Sequence, residues 1–147
     1  MAAILGVKTL ATYEGQGAVL LEAVAAQDDG AYPVVLEGKP LCFDWRPMIR
    51  RIAEEKAQGV PAGVLAARFL NTLIQMAAEM AGRISRETGV TDVVLSGGSF
   101  QNMYIMHRLP DKLKETGLRP WHHSRVPPND EGLSLGQLMI AAQQMRE

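Results

Sequence analysis

Two stretches hold residues whose types and spacing suit chemistry: Thr91 to Asn102, with Gly97-Gly98 at its centre, and Pro127-Pro128-Asn129-Asp130. In the first, a short apolar run, Val93 to Leu95, meets two glycines, and apolar residues then resume at helical spacing (Phe100, Met103, Met106, Leu109). This is the pattern of a buried strand entering a helix through a tight turn. Paired glycines free the backbone for conformations that a Cβ resists and let a ligand come close to the main chain. The helix start expected just after them would offer unpaired N–H groups and partial positive charge, which favour a phosphate. A lone Gly-Gly after a strand is more often plain turn geometry. Gln101 and Asn102 could hydrogen-bond a sugar or base, and capping or solvation would also account for them.

In the second stretch Asp130 lies in a proline-stiffened loop directly before a helix. Its bland role is to cap that helix, and its chemical role, metal ligation, requires a free carboxylate oxygen. One carboxylate does not make a metal site. His122 and His123 are adjacent, so on a strand they point to opposite faces and cannot serve one metal without distortion. His107 reads as a surface or packed histidine. No serine–histidine–aspartate order, full Walker-type loop or dinucleotide glycine fingerprint occurs.

The elements that must position these residues follow from the pattern. Met1 to Leu5 reads as the tail of an element. Thr12 is the expected cap of a helix running to about Asp28-Asp29-Gly30 and covered on most sides, with Glu14 near its first turn. Glu14 is thus divided between capping and ligand contact. Pro33 to Glu37 and Leu41 to Trp45, separated by Gly38-Lys39-Pro40, predict a β-hairpin. Pro47 suits the first turn of the next helix, with Met48, Ile49 and Ile52 on its apolar side, and Gly59-Val60-Pro61 ends it. The longest helix is predicted from Pro61 to about Thr88, stacking Leu65, Phe69, Leu73, Ala77, Met80 and Ile84. Pro110 is expected to bend or restart the helix after the glycine turn. Arg119 to Arg125 is a second strand, and a last helix runs from about Leu133 to Met145. Strand, helix, strand, helix implies a right-handed crossover and a parallel pair, which the hairpin would extend into a mixed sheet with flanking helices, an α/β fold. Ligands gather at the carboxyl ends of such strands, so the glycine turn and the Asp130 loop should open on one edge.

Composition narrows the classes. A chain of 147 residues, 47% of them hydrophobic, suits one domain over 1–147 with a single core. A net charge of -1 gives no general attraction to nucleic acid. The single cysteine, Cys42, excludes an internal disulfide and any cysteine-only metal site, and fits a reducing cytoplasm. No apolar run reaches the roughly 20 residues that span a bilayer, so no membrane partner is expected. The eight methionines read as core packing.

Val94-Leu95-Ser96-Gly97-Gly98-Ser99-Phe100-Gln101-Asn102, Arg125-Val126-Pro127-Pro128-Asn129-Asp130 and Gly132-Leu133-Ser134-Leu135-Gly136-Gln137 together closely resemble the C-terminal end of the hydrogenase-maturation carbamoyltransferase family, HypF. Thr12-Tyr13-Glu14-Gly15-Gln16 resembles a segment upstream, and Arg68-Phe69 with Thr72-Leu73 falls at a family helix motif. The resemblance implies the second lobe of an actin-like ATPase, a ribonuclease H-like fold shared with tRNA threonylcarbamoyltransferases. It implies that Gly97, Gly98, Gln101 and Asn102 face a nucleotide, that Glu14 and Gln16 lie near the ribose, and that Asp130 is a metal ligand. The implied cofactors are ATP or carbamoyl-adenylate and a divalent metal, iron or zinc, held only together with a His-x-x-x-His pair from a first lobe. The implied reaction passes a carbamoyl group to the C-terminal cysteine of a HypE-like acceptor protein.

The sequence also departs from the family. It has no His-x-x-x-His, Glu131 stands where glycine is expected, and Leu70 replaces a histidine. The acylphosphatase-like, zinc-binding and adenylate-forming domains and the first lobe are not in it, so the chain reads as a fragment with little or no activity alone. Two other readings remain: a tRNA threonylcarbamoyltransferase-like lobe, and a non-catalytic remnant that binds a nucleotide or protein, with a homodimer through the exposed interlobe face.

Overall fold

A computed structural model describes residues 1–38 and 40–145. The chain divides into two compact units, Met1–Met80 and Ala81–Glu147. Their boundary lies inside a helix, with Gly82 just beyond it and no proline near it.

The first unit opens with α1 (Ala2–Leu5) and α2 (Gln16–Val24). Thr12 does not cap α2: Gly15 occupies the cap position at φ 80, and Glu14 lies before the first turn. Instead the Gln16 side chain reaches back, its Oε1 accepting from the Thr12 N–H at 2.8 Å. Nor is α2 covered on most sides; Leu21 is its buried residue, while Val19 and Val24 face solvent. Strands β1 (Val35–Glu37) and β2 (Cys42–Asp44) pair antiparallel as the expected hairpin, with Leu36 opposite Phe43. Lys39, in the predicted turn, lies outside the described residues.

Helix α3 (Arg46–Ala57) carries Pro47 in its first turn and buries Met48 and Ile52. The long α4 (Ala62–Thr88) closes this core, where Leu5, Leu21, Tyr32, Met48, Ile52, Leu65 and Ala66 cluster. Its buried surface differs from the predicted stripe. Leu65, Ala66, Ala67, Leu70, Ile74, Met76 and Ala78 are buried, whereas Ala77 and Ile84 are exposed. Small residues at 66, 67 and 78 let neighbours approach on more than one side, so the helix is covered beyond a single stripe.

One face of α4 explains the Arg68, Asn71 and Thr72 pattern. At spacings of three and four these residues share a side of the helix. The Asn71 amide donates to the Asp28 and Gly30 carbonyls at 2.8 and 2.9 Å, and Thr72 Oγ1 accepts from the Tyr32 N–H at 2.8 Å. Arg68 Nε meets Asp28 Oδ1 at 3.1 Å. Side chains thereby satisfy the Asp28 and Gly30 carbonyls and the Tyr32 N–H of the irregular segment 28–32.

In the second unit β3 (Asp92–Leu95) and β4 (Arg119–His122) form a parallel pair, Leu95 opposite His122, joined through α5 (Met103–Glu115). Leu95, Leu109, Leu113 and Leu118 are buried there. Helix α5 runs through Pro110, which neither restarts nor ends it. Strand β4 stops at His122 rather than Arg125. The last helix, α6 (Leu133–Gln144), has no buried residue; Leu133, Leu138, Met139 and Ile140 are all more than half exposed.

The α/β class with flanking helices is therefore present. Its strands make two separate two-stranded sheets, with no ladder joining them among the described residues, where the sequence suggested one mixed sheet. No described helix is long and apolar enough to cross a membrane.

Candidate functional site

The parallel pairing of β3 with β4 sends both following loops off the same, carboxyl-terminal edge. They are tied there by a main-chain bond: the Gly97 N–H donates to the Pro128 carbonyl at 2.6 Å. Gly97 has φ 108 and ψ 164, a region essentially reserved for glycine. An added Cβ at Gly97 or Gly98 would meet nothing within 4 Å, so the space above both residues is open. The turn thus meets the two requirements for close approach of a ligand to the main chain.

A long helix does not follow the turn directly. Gly98–Gln101 forms a single 3-10 turn, and α5 starts at Met103 with Asn102 as its cap, Asn102 Oδ1 accepting from the Ile105 N–H at 3.0 Å. The anion-favouring helix start expected at the glycines therefore sits several residues further on, with one of its N–H groups already satisfied. Asn102 commits its amide oxygen to the cap and keeps its NH2 group for other partners, and Gln101 is exposed at the end of the turn.

On the opposing loop the cap is Asn129, whose Oδ1 accepts from the Glu131 N–H at 3.3 Å. Asp130 is thus released from the capping role given to it. It is exposed, and its carboxylate makes no hydrogen bond or ion pair among the described residues. The described residues contain no group of three metal-binding side chains. Asp130 can therefore supply one ligand to a metal but cannot hold it alone.

A pair that the spacing of residues did not indicate also occupies this edge. His123 Nε2 lies 3.1 Å from Ser96 Oγ, both exposed. The Leu95–His122 register places the next residue of each strand side by side, and only the register, not the sequence, makes the pair visible.

Glu14 and Gln16 belong to the first unit. Gln16 is bound back to Thr12, and Glu14 is exposed. The first unit has its own polar centre. Glu55, 7% exposed, accepts from the Tyr32 hydroxyl at 2.9 Å, Arg51 Nε at 2.9 Å and Arg68 Nη1 at 3.3 Å. Burial alone would raise the Glu55 carboxyl; the Tyr32 and Arg51 hydrogen bonds and the charges of Arg68 and Arg51 together outweigh it and hold it low. Burial first, then the bond to Glu55, pushes the Tyr32 hydroxyl far up. The bond from Arg68, helped by the Gly30 N–H, lowers Asp28. A cavity of about 400 Å³ borders this cluster. Among the described residues no buried side-chain polar atom lacks a partner, as in a structural network.

Fold and edge together define a class: an α/β chain whose parallel strand pair presents a glycine bend and an acidic loop side by side. Residues 1–137 match the family model for the carbamoyltransferase Kae1-like domain, second subdomain. The chain is 33% identical over 147 residues to carbamoyltransferase HypF of Synechocystis sp., covering 97% of this chain and 18% of that protein. It is 38% identical over 146 residues to HypF of Rhizobium leguminosarum bv. viciae, with the same coverage. Among solved structures it is similar to full-length HypF in a phosphate- and nucleotide-bound form, at a TM-score of 0.90 and 37% identity, over 99% of this chain and 20% of that one. The chain belongs to the HypF carbamoyltransferase family, matching the second subdomain of its Kae1-like domain. It spans only 18% of the length of these curated relatives.

Proposed function

We propose that this chain is the nucleotide- and metal-facing wall of a carbamoyltransferase that moves a carbamoyl group from carbamoyl-adenylate to the C-terminal cysteine of a HypE-like acceptor. The observation that carries the reading is the 2.6 Å bond from Gly97 to Pro128, which holds an open glycine bend beside the loop bearing an uncommitted carboxylate. In this reading Gly97 and Gly98 admit the phosphate, and Asn102 and Gln101 orient the nucleoside. Asp130 serves as one metal ligand, completed by histidines of a first subdomain. A divalent iron or zinc ion held there would polarise a phosphoryl or carbamoyl oxygen as a Lewis acid. Electrostatic stabilisation of a transferring group needs donors preorganised on every side of it, so one wall alone should transfer little or nothing.

The test places this chain in the Synechocystis HypF relative in exchange for its own second subdomain and assays adenylate formation and carbamoyl transfer separately. Asp130→Ala should abolish transfer and leave adenylate formation unchanged. Loss of both to the same degree would overturn the role given to Asp130. The 147-residue chain titrated with ATP should show weak binding that Gly98→Ala removes.

A further inference from the structure

The Ser96–His123 pair has no part in the reading above, and it stands where that reading needs a donor. The helix start that would have held an anion is displaced to Met103 and capped by Asn102, so the glycine bend lacks that source of positive charge. Ser96 directly precedes the bend, and its Oγ lies 3.1 Å from His123 Nε2 on the neighbouring strand end. Both side chains are exposed on the edge where the Cβ directions of Gly97 and Gly98 are empty. Two residues beyond His123, Arg125 is exposed and makes no ion pair among the described residues.

We propose that Ser96 donates its hydroxyl hydrogen to a phosphoryl oxygen of the nucleotide, and that His123 is a positioning residue that turns the hydroxyl outward. With the imidazole Nε2–H donating to Ser96 Oγ, the serine oxygen is occupied as an acceptor and its own hydrogen must point elsewhere, toward the open side of the bend. A hydroxyl donor to a phosphate oxygen makes a charge-assisted bond, stronger than a neutral one. A Ser–His couple can also act as nucleophile and base, but that role requires a third group to orient the base. Among the described residues His123 makes no second hydrogen bond, and no carboxylate reaches its ring. The arrangement suits ligand holding, not acyl-enzyme chemistry.

The inference rests on the nucleotide-wall reading, and its experiment separates the two. The 147-residue chain is titrated with adenosine, AMP and inorganic phosphate by calorimetry, as the wild type and as Ser96→Ala, His123→Ala and His123→Gln. Ser96→Ala should weaken AMP about tenfold, about 1.4 kcal/mol, and leave adenosine unchanged. His123→Ala should weaken AMP by a smaller factor, and His123→Gln, whose amide can still donate to Ser96, should restore most of it. A purely structural role would lower affinity for adenosine and AMP together and would shift the unfolding midpoint. An unchanged ratio of AMP to adenosine affinity in Ser96→Ala overturns this inference alone. A wild-type chain that binds neither compound overturns the nucleotide wall and this inference with it.

Discussion

The two glycines at the bend should behave oppositely when each is given a methyl group. Gly97 lies at φ 108 and ψ 164, where an L-residue is strained, whereas Gly98 lies in a 3-10 turn and is not in a positive-φ conformation. Neither added Cβ would touch a neighbour within 4 Å, so sterics inside the fold cannot blur the comparison. Strain of this kind costs about 1–3 kcal/mol. Taking about 2 kcal/mol and a urea slope of about 1.5 kcal/mol/M, Gly97→Ala should lower the midpoint by about 1.3 M. Gly98→Ala should leave it within about 0.3 M. Each unit carries its own tryptophan, Trp45 in the first and Trp121 in the second. Variants keeping only Trp121 would report the second unit by fluorescence, and those keeping only Trp45 would serve as the control. Gly97→Ala should move the Trp121 transition. Nucleotide titration of the same proteins should show the reverse order for Gly98→Ala, with stability retained and binding lost because the methyl group fills the open side. Equal midpoints for the two variants would refute the backbone argument, and undiminished binding in Gly98→Ala would refute the close approach of a ligand.

Other outcomes follow from the first unit. Glu55 and Asp28 are both held below their ordinary values, so their contribution is complete above the unfolded pKa and disappears as pH falls through the folded one. Thermal melts from pH 7 down to pH 3 should therefore show a steeper acid loss in the wild type than in Glu55→Gln; parallel curves would contradict this. Tyr32→Phe removes one of three bonds to Glu55 and should cost about 1 kcal/mol in denaturant unfolding, with no change reading against the network. Gly63→Ala places a Cβ 2.6 Å from the Val24 carbonyl oxygen and should destabilise by about 1–3 kcal/mol. In the same helix, Gly82→Ala meets only the end of Arg86 at 3.5 Å and should stabilise by about 0.5–1 kcal/mol. If both changes act in the same direction, the packing at Gly63 has been misjudged.

The strand–turn–helix pattern at 93–109 and the helices over 46–57 and 62–88 were legible because apolar spacing and Gly or Pro punctuation agree there. The convergence of the glycine turn and the Asp130 loop was legible too, since a parallel crossover sends both loops to one edge. Capping was legible at Asn102, for which it was one of the expected roles, and the caps at Thr12 and Asp130 went elsewhere for a common reason. Each stood near a freer backbone or a better-placed polar side chain, Gly15 and Asn129, and local competition between caps depends on a few residues of phase. The burial of α4 departed from its predicted stripe because alanines count weakly in a hydrophobic pattern yet permit the closest approach. Ser96 and His123 are 27 positions apart and joined only by strand register, which leaves no trace in spacing.

Helix α4 has 27 residues, about 40 Å of continuous backbone. Because the division after Met80 falls within it, severing the chain there would leave four carbonyls bare on one fragment and four amides bare on the other. Dissection by protease or by recombinant truncation should therefore respect Gly89, where the helix finishes on a positive φ and its amide still bonds to Ser85 at 2.8 Å. A fragment ending at that glycine inherits a finished rod, and one ending at Met80 inherits a frayed stump.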